Sequence, residues 1–363
     1  MPVTESALLD ALKAVNDPNT GRDFVSTKQL KNLRIDGGDV GFDIELGYPA
    51  KSQLAGLRKN LIAAARGVAG VENVSVNLAT KVIPHAVQRG VQLLPKVKNI
   101  VAVASGKGGV GKSTTAVNLA LALAAEGATV GILDADIYGP SQPMMMGIEG
   151  RPESEDGKTM EPMENYGVQV MSIGFLVDAD NPMIWRGPMA TQALEQLLRQ
   201  TNWGDLDYLI VDMPPGTGDI QLTLSQRVPL TGAVIVTTPQ DIALLDAKRG
   251  IKMFEKVGVP ILGIVENMAV HVCEKCGHVE HIFGNEGGKR LAAQYGMDYL
   301  GALPLNLSIR VQADGGRPTV VSDPDGEIAG LYKDVARRVA VKIAQSAKDF
   351  SAKFPTISIS KDT

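Results

Sequence analysis

Seven short apolar runs recur along residues 99–302, and stretches with helical spacing separate them. Runs this apolar are typical of strands that are buried on both faces of a sheet. Strands that alternate with helices predict an α/β fold with a doubly wound, mostly parallel sheet. The predicted strands are 100–104, 130–133, 168–173, 208–211, 233–237, 261–265 and 299–302.

The beginning of the chain shows a shorter pattern, which predicts a small N-terminal α/β domain at residues 1–82. Two strands flank Gly37-Gly38-Asp39, and polar and apolar residues alternate along the second of them, as in a hairpin. The predicted elements are a helix at 6–15, strands at 33–36 and 40–46, a helix at 52–67 and a strand at 71–77.

The remainder of the chain divides by composition. Residues 83–97 contain Pro84 and Pro95 without a sustained period, which predicts a linker. The second domain is predicted at 98–347, and residues 348–363 form a polar tail.

Bulk composition narrows the classes of function. A length of 363 residues leaves room for two domains. The net charge of −4 argues against nucleic acid as the main partner, because phosphate binding depends on a basic surface. No apolar run has the length of a membrane span, and the first residues do not resemble a signal peptide. We therefore expect a cytoplasmic protein that binds no membrane.

A glycine-rich turn connects the first strand of the second domain to a helical pattern. Gly106, Gly111, Lys112 and Ser113 meet the spacing G-x-x-x-x-G-K-[ST] of a P-loop. In such a loop the lysine reaches the β- and γ-phosphates and the serine hydroxyl holds Mg²⁺. The sequence therefore predicts a P-loop NTPase, with ATP favoured and GTP left open. The phosphate-binding residues are Gly106, Gly108, Gly109, Val110, Gly111, Lys112, Ser113 and Thr114.

Three carboxylates follow predicted strands of the same domain. Asp134 and Asp136 come after the strand 130–133, and Asp212 ends the strand 208–211. Ligands bind at the carboxyl ends of strands in doubly wound sheets, so all three are expected near the P-loop. Asp212 fits the Walker B role of holding Mg²⁺. Asp134 and Asp136 either order magnesium-bound and attacking water or cap the turn that follows them.

A switch is predicted after Asp212. Gly216 can bring its backbone N–H close to a γ-phosphate and report its loss to Thr217-Gly218-Asp219. Such a segment is ordered by the triphosphate and released after hydrolysis.

Cys273 and Cys276 are the two cysteines of the chain, which excludes a disulfide framework. Cys-x-x-Cys followed by Gly277 forms a tight knuckle that aims both sulfurs at one metal. Two chains together would supply the four thiolates of a [4Fe–4S] cluster. Zinc held by both cysteines with His278 and His281, a redox pair and an inert buried turn are the alternatives from the residues alone.

The segment Lys107-Gly108-Gly109-Val110-Gly111-Lys112-Ser113 resembles the deviant P-loop ATPases, which include MinD, ParA and the Mrp/ApbC iron–sulfur carriers. By itself Lys107 is either a solvated loop lysine or a cation that reaches a neighbouring subunit. The resemblance implies a face-to-face dimer in which Lys107 acts across the interface. It also implies that Asp136 positions the attacking water. The Asn267 amide either pairs with the donor and acceptor edge of adenine or forms a turn, and the resemblance favours adenine. Pro304-Leu305 is predicted to close the adenine pocket.

Within that group the chain resembles the Mrp/ApbC iron–sulfur carrier ATPases over about residues 99–345. Four further motifs carry this resemblance: residues 133–141, residues 212–219, Glu266-Asn267-Met268 and the cysteine pair. The order of elements in 1–82 resembles a SufT-like domain. Some of those domains carry a cysteine after the second strand, whereas residues 47–51 contain no thiol, so we do not expect this domain to bind metal directly.

The resemblance implies a homodimer that binds ATP with Mg²⁺, holds a [4Fe–4S] cluster at its interface, hydrolyses ATP and passes the cluster to apo-proteins. Its expected partners are a second copy of the chain, cluster donors and apo iron–sulfur proteins. Two rival functions are a positioning ATPase like MinD or ParA and a zinc-stabilised regulatory ATPase.

Overall fold

The computed structural model describes residues 3–88, 90–177 and 187–346, so the predicted tail at 348–363 lies outside the described residues. A small three-stranded sheet in the order β1-β2-β3 forms the N-terminal unit. β1 and β2 are antiparallel, whereas β2 and β3 are parallel. Its elements are α1 (Glu5–Lys13), β1 (Leu30–Asp36), β2 (Asp39–Leu46), α2 (Leu54–Arg66) and β3 (Asn73–Thr80).

The core of this unit follows from the alternation along β2. Every second side chain of that strand points inward, so the sheet presents one apolar face to the two helices. α1 and α2 each contribute two buried leucines spaced four residues apart, which places both leucines on the same face of their helix. The buried residues are Val40, Phe42, Ile44 and Leu46 from β2, Leu8 and Leu12 from α1, and Leu57 and Leu61 from α2.

The second unit is built on an eight-stranded sheet in the order β13-β10-β9-β4-β8-β5-β7-β6. All neighbouring strands are parallel except the edge strand β6, which is antiparallel to β7. The predicted fold class is confirmed. The strands are β4 (Val97–Ala104), β5 (Val130–Asp134), β6 (Met163–Asn165), β7 (Val168–Ser172), β8 (Leu206–Asp212), β9 (Gly232–Thr237), β10 (Ile261–Glu266) and β13 (Tyr299–Ala302).

Helices and a small hairpin complete this unit. Among the described residues no helix is both long enough and apolar enough to cross a bilayer. The hairpin consists of β11 (His271–Val272) and β12 (Val279–Glu280). The helices are α3 (Lys112–Ala125), α4 (Gln142–Met145), α5 (Gly187–Gln200), α6 (Asp219–Arg227), α7 (Asp241–Lys256), α8 (Gly287–Tyr295), α9 (Leu307–Asp314), α10 (Thr319–Ser322) and α11 (Glu327–Ala344).

Sequence patterns missed three short strands and shifted several boundaries. β6 has three residues, and β11 and β12 have two each, which is too short for a period to register. The strand predicted at 168–173 ends at Ser172, because residues 173–175 turn into a 3₁₀ helix. The strand predicted at 71–77 covers Asn73–Thr80 instead. The shifted boundaries lie within the roughly two to four residues by which sequence patterns misplace the ends of elements.

A buried ion pair joins the two units. Glu126 follows the last residue of α3 and its side chain is 1% exposed. Its carboxylate contacts the Arg337 guanidinium of α11 and accepts hydrogen bonds from Ser52 N (2.9 Å) and Ser52 Oγ (2.6 Å). The Glu126 carbonyl accepts a further bond from Lys51 N at 3.0 Å. One residue therefore holds the N-terminal unit, α3 and α11 together.

The first part of the segment predicted as a linker, residues 83–88, is fixed to the second unit. His85 Nδ1 lies 3.0 Å from Asn99 Oδ1 at the start of β4, and both residues are buried. Gln88 Nε2 donates to the carbonyls of Ser225 (2.8 Å) and Val228 (3.1 Å) at the end of α6. This part of the connection between the units is therefore packed rather than loose.

We expect Glu126→Ala to lower the free energy of unfolding by about 3 kcal/mol, because it removes the buried partner of Arg337 and leaves that guanidinium with the exposed Asp334 carboxylate alone. Lys98→Ala is the matched control. It removes the exposed pair Lys98–Asp207 (2.7 Å, Lys98 side chain 41% exposed) and should cost about 1 kcal/mol or less. Urea unfolding of both variants measures the difference, and equal losses would contradict the structural role of Glu126.

Candidate functional site

The P-loop connects β4 to α3 through two residues in the left-handed region. Gly109 has φ +80° and Gly111 has φ +81°, values that residues with a Cβ rarely adopt. Gly111 is also the N-cap of α3, so the turn delivers the chain directly into the helix. The positive end of the helix dipole therefore faces the loop, which favours an anion there.

Two glycines of the loop are also required by close packing. A Cβ on Gly106 would lie 2.1 Å from the Asp246 backbone carbon. A Cβ on Gly111 would lie 2.1 Å from Asn267 Nδ2. By contrast, a Cβ on Gly108 would meet nothing within 4 Å. The loop is thus clamped by α7 and by the end of β10, while its middle faces open space.

Lys112 is buried among the predicted carboxylates. Its side chain is 6% exposed and its ammonium contacts the fully buried Asp212 carboxylate. The same Nζ lies 3.8 Å from Asp136 Oδ2 and donates to Ser113 Oγ at 3.1 Å. The structure therefore brings together the P-loop lysine and serine with two of the three carboxylates found by sequence reasoning.

Asp134 lies beneath this cluster and is held by four donors. Its oxygens accept hydrogen bonds from the backbone N–H groups of Asp136 (3.2 Å), Ser141 (3.0 Å) and Gln142 (3.1 Å). The Ser172 hydroxyl donates the fourth at 3.1 Å. Asp134 therefore orders the turn that leads into α4, as the capping alternative expected, and also lies beside Asp212 across the β5–β8 pairing.

Burial and neighbouring negative charges raise the pKa values of Asp134 and Asp136. Burial, reinforced by the neighbouring Asp212 charge, raises the pKa of Asp134 to about 7. Burial also raises the pKa of Asp136, against the opposing pull of the Lys112 ammonium. Asp136 and Asp212 thus lie around a single buried lysine, with Asp134 beside Asp212, and a bound cation would reduce the repulsion among the three carboxyls.

The residues present fit a nucleotide phosphate with Mg²⁺. The loop supplies backbone N–H donors and open space at Gly108, while the carboxylates and Ser113 Oγ supply the hard oxygen ligands that Mg²⁺ prefers. Two buried oxygens beside the cluster, Ser141 Oγ and Gln142 Oε1, have no hydrogen-bond partner. Buried polar atoms without partners are uncommon and are expected where a ligand or water binds.

Gln142 is a site residue that sequence reasoning missed. Its Nε2 donates to Asp212 Oδ2 at 2.9 Å and to the Ser113 carbonyl at 3.2 Å. It thereby connects α4 to both the Walker B position and the P-loop. No spacing rule points to it. The only available signal was its position a few residues after Asp134 and Asp136.

Gly216, Thr114 and Lys107 lie around the loop, and a backbone group of each forms a hydrogen bond within the chain. Gly216 N donates to the Ser105 carbonyl at 3.1 Å, and the Thr114 carbonyl accepts from Asn118 Nδ2 at 2.9 Å. The Lys107 carbonyl accepts from Ser105 Oγ at 2.8 Å. Within the described ranges the Lys107 side chain forms no ion pair, so its charge is available at the surface of the loop.

Asn267 lies against the P-loop rather than apart from it. Its Nδ2 donates to the Val110 carbonyl at 2.9 Å, and the residue is buried. Met268 follows with φ +55°, a strained value for a residue with a side chain. Leu305 N donates to the Val270 carbonyl at 2.8 Å. The adenine-binding roles of Asn267 and of Pro304-Leu305 stay predictions.

The cysteine pair occupies the turn between β11 and β12. Cys273 N donates to the His278 carbonyl (2.9 Å) and Gly277 N donates to the Cys273 carbonyl (2.8 Å), which closes the knuckle. Cys276 is exposed and Cys273 is partly exposed. Hydrogen bonds from the backbone N–H groups of Lys275 and Cys276 lower the pKa of the Cys273 thiol, which favours the thiolate that binds metals.

The histidines nearby do not complete a metal site within one chain. His271 Nδ1 lies 3.1 Å from the Leu305 carbonyl, and His281 Nδ1 lies 3.0 Å from the Ala269 carbonyl. His278 Nε2 lies 3.8 Å from Glu280 Oε1 at the surface. In residues 3–88, 90–177 and 187–346 no three His, Cys, Asp or Glu side chains are grouped to hold a metal ion. The zinc site with His278 and His281 is not assembled here.

Comparison with protein families identifies both units. A family described as NUBPL iron-transfer P-loop NTPase matches residues 96–340. A second family, described as iron-sulfur cluster assembly protein, matches residues 5–77. The two matches correspond to the large sheet and the small sheet.

Similar proteins extend over nearly the whole chain. The iron-sulfur cluster carrier protein of Pseudomonas fragi is 62% identical over 269 residues, which cover 74% of this chain and 94% of the relative. The iron-sulfur cluster carrier protein of Synechocystis sp. is 44% identical over 350 residues, 95% of this chain and 99% of the relative. The solved nucleotide-binding protein of Archaeoglobus fulgidus, in complex with ADP, is 38% identical with a TM-score of 0.56 and covers 64% of this chain and 90% of its own.

We expect Gly111→Ala to destabilise the ligand-free protein by at least about 1–2 kcal/mol, because alanine is strained at this φ before its collision with Asn267 is counted. Gly108→Ala has open space and should change the free energy of unfolding by less than about 0.5 kcal/mol. Thermal or urea unfolding compares the two, and equal effects would show that the Asn267 clamp is unimportant.

The raised pKa of Asp134 predicts a pH dependence of stability. Between its ordinary pKa of 3.8 and the folded value of about 7, the folded protein holds a proton that the unfolded chain releases. Stability from this group is therefore full below pH 3.8 and is lost as the pH rises to 7, by up to about 1.4 kcal/mol per pH unit. We expect Asp134→Asn to gain stability relative to wild type as the pH rises from about 5 to 8 in EDTA.

Asp156→Asn is the control for that measurement. The pKa of the exposed Asp156 lies below 3.8, chiefly because Thr159 and Lys158 N–H groups bind its carboxylate. Asp156 is ionised in both the folded and the unfolded protein across the tested pH range. The difference in unfolding free energy between Asp156→Asn and wild type should therefore not vary with pH. If the difference in unfolding free energy between Asp134→Asn and wild type is also independent of pH, the raised pKa of Asp134 is refuted.

Proposed function

The chain belongs to the family of NUBPL iron-transfer P-loop NTPases, and from that membership we propose that it binds an iron–sulfur cluster and passes it to apo-proteins. The observation that supports this most directly is the exposed cysteine knuckle, six residues beyond the asparagine that clamps the P-loop. A releasable cargo needs ligands at the surface, and both sulfurs are there.

The cargo we propose is a [4Fe–4S] cluster shared by two chains. One chain offers Cys273 and Cys276, and the cluster takes four thiolates. A two-fold homodimer whose axis passes beside the knuckle would double the pair and bring both knuckles to the same interface. Ligation by two short turns from separate chains leaves the cluster accessible, which suits transfer to a recipient.

For the nucleotide we propose ATP with Mg²⁺. The backbone N–H groups of residues 108–113 and the Lys112 ammonium would hold the phosphates, while Ser113 and Asp212 would hold the metal. When bound, Mg²⁺ neutralises phosphate charge and also relieves the repulsion between Asp134 and Asp212. Asp136, close to Lys112 at 3.8 Å and less buried than Asp134, is the carboxylate we assign to orienting the attacking water.

The segment 267–273 supports coupling between the two sites. It begins at Asn267, whose amide binds the P-loop carbonyl of Val110, and ends at Cys273. Met268, the second residue of this segment, lies in the left-handed region with φ +55°. We assign to this segment, together with the switch at 217–219 and Lys107 acting across the dimer, the role of changing the grip on the cluster with the nucleotide state.

The expected partners are a second copy of the chain, cluster donors and apo iron–sulfur proteins. The rival of a positioning ATPase needs a membrane or DNA surface, and its solved relatives share the fold at low identity, as MinD of Pyrococcus furiosus does at 21%. The closer relatives are cluster carriers by name. The zinc-stabilised regulator is retained as an outcome of the experiment below.

We expect anaerobic reconstitution with iron and sulfide to give a brown dimer with about four irons per dimer. The double variant Cys273→Ser/Cys276→Ser should lose the iron, since serine replaces both thiolates. Iron and sulfide analysis combined with light scattering measures cluster content and assembly. With the same material, Mg·ATP should change the rate at which an apo-protein that requires a [4Fe–4S] cluster is activated.

His278→Ala is the matched control in the same turn. It should keep the cluster, because His278 is not one of the proposed ligands. Stoichiometric zinc that disappears with His278→Ala would instead favour the regulatory ATPase. A strictly monomeric brown protein, or a cluster that survives loss of both cysteines, would refute the shared site.

A further inference from the structure

A cavity of about 690 Å³ lies where the N-terminal unit meets the end of α11. One wall comes from the loop before β1 and from β1 itself, and another from Val341 and Ala344 of α11. Its charged lining consists of Arg22, Lys28, Lys31, Lys81 and Glu45. We call this set of residues the basic cleft.

The charge of the basic cleft differs from that of the chain as a whole. Four cations and one carboxylate line it, whereas the full sequence has 36 basic and 40 acidic residues. The carboxylate of Glu45 lies 3.8 Å from Lys81 Nζ and offsets that lysine. Among the described residues, Arg22, Lys28 and Lys31 form no ion pair. The lining of the cleft therefore carries a net positive charge.

Asp23, the acidic residue next to Arg22, forms no ion pair with these cations, and its carboxylate binds backbone N–H groups of its own loop. Asp23 Oδ1 accepts hydrogen bonds from Val25 N (3.0 Å) and Ser26 N (2.7 Å), and the Asp23 carbonyl accepts from Thr27 Oγ1 (2.7 Å). These bonds fix the loop that carries Arg22 and Lys28. A loop held in one conformation before binding loses little entropy when a ligand arrives.

Backbone strain also marks this loop. Lys28 has φ +60°, a conformation that costs a residue with a Cβ roughly 1 kcal/mol or more. Behind it, the Tyr48 hydroxyl donates to Asp17 Oδ1 at 2.6 Å, which fixes the tyrosine in the lining. Strained residues that the surroundings hold in place concentrate at binding sites.

The spacing of the cations indicates the shape of the ligand. Lys31 on β1 pairs with Asp43 of β2, and Thr80 of β3 pairs with Leu46 of β2. Lys81 is therefore two strands across and about four residues along from Lys31, roughly 16 Å between Cα atoms. An extended chain with several carboxylates can span this separation while both lysine side chains keep their places in the lining.

We propose that the basic cleft binds an extended, carboxylate-rich segment of a partner protein. The cations pair with its side chains, and the amide groups of Gln29 and Gln345, which also line the cleft, serve its backbone. This inference does not rest on cluster carriage, because it uses neither the cysteines nor the P-loop.

The position of the cleft permits docking without covering the nucleotide site. The P-loop follows the carboxyl end of β4, whereas α11 ends beside Asp298, the residue before β13, through the contact of Lys342 with that carboxylate. The two sites therefore lie at opposite ends of the parallel sheet. A partner held in the cleft leaves the phosphate loop and the cysteine knuckle open.

The test uses fluorescein-labelled hexaglutamate and the full-length protein in saturating Mg·ADP, followed by fluorescence anisotropy. We expect saturable binding that weakens several-fold when the salt concentration is raised from about 50 to 300 mM, because the contacts are exposed ion pairs. Lys28→Glu/Lys31→Glu should weaken binding at least about tenfold. The neutral variant Lys28→Gln/Lys31→Gln should weaken peptide binding less than the charge-reversal variant does. It replaces that variant in the test if the charge-reversal variant fails to fold.

Arg58→Glu/Lys59→Glu is the matched control, with the same charge change on exposed positions of α2 outside the cleft. It should alter affinity less than about threefold, as expected for distant screened charges. Equal losses in both double variants would overturn the proposal in favour of general charge attraction. Displacement of the peptide by an equal or lower concentration of tripolyphosphate would overturn it in favour of a compact anion site. Absence of binding would also overturn it.

Discussion

The burial of Lys112 between Asp212 and Asp136, with Asp134 beside Asp212, is the interaction on which the rest of the site depends. A lysine in this position is stable only because Asp212 contacts it and Asp136 lies near, and the carboxylates are tolerable only because the lysine and the backbone donors around Asp134 compensate them. Burial and the neighbouring Asp212 charge nevertheless raise the pKa of Asp134. The pocket combines carboxylates with backbone N–H groups that can bind phosphate oxygens, and this combination fits the nucleotide with Mg²⁺ that we propose.

This cluster is connected to the rest of the molecule by two rigid elements. α3 starts at the P-loop and extends for about 21 Å, 14 residues at 1.5 Å each, before it ends next to the buried Glu126 that holds the N-terminal unit. On the other side, Asn267 joins the P-loop to the segment that carries Cys273. The phosphate loop therefore contacts both the element that reaches the small unit and the element that presents the thiols.

Sequence patterns located most of this site because its chemistry needs fixed spacings. The P-loop serine and lysine, the carboxylates at strand ends and the cysteine knuckle each follow from a local rule. Gln142 and the cavity beside Lys28 do not, since both depend on which distant segments meet. The amide of Gln142 matters only because α4 folds back over Asp212, and Lys28 matters only because α11 ends beside it.

The sequence by itself determined the alternation of buried strands and helices, the parallel sheet, and the order of the phosphate loop, the carboxylates and the cysteine pair. Hydrophobic period and glycine spacing are local properties, so a linear reading recovers them. Only the tertiary structure decided that the Asn267 amide clamps the P-loop, that Asp134 caps α4, and that the histidines near Cys273 do not join it. Those outcomes depend on distances between segments far apart in the chain, which packing alone sets.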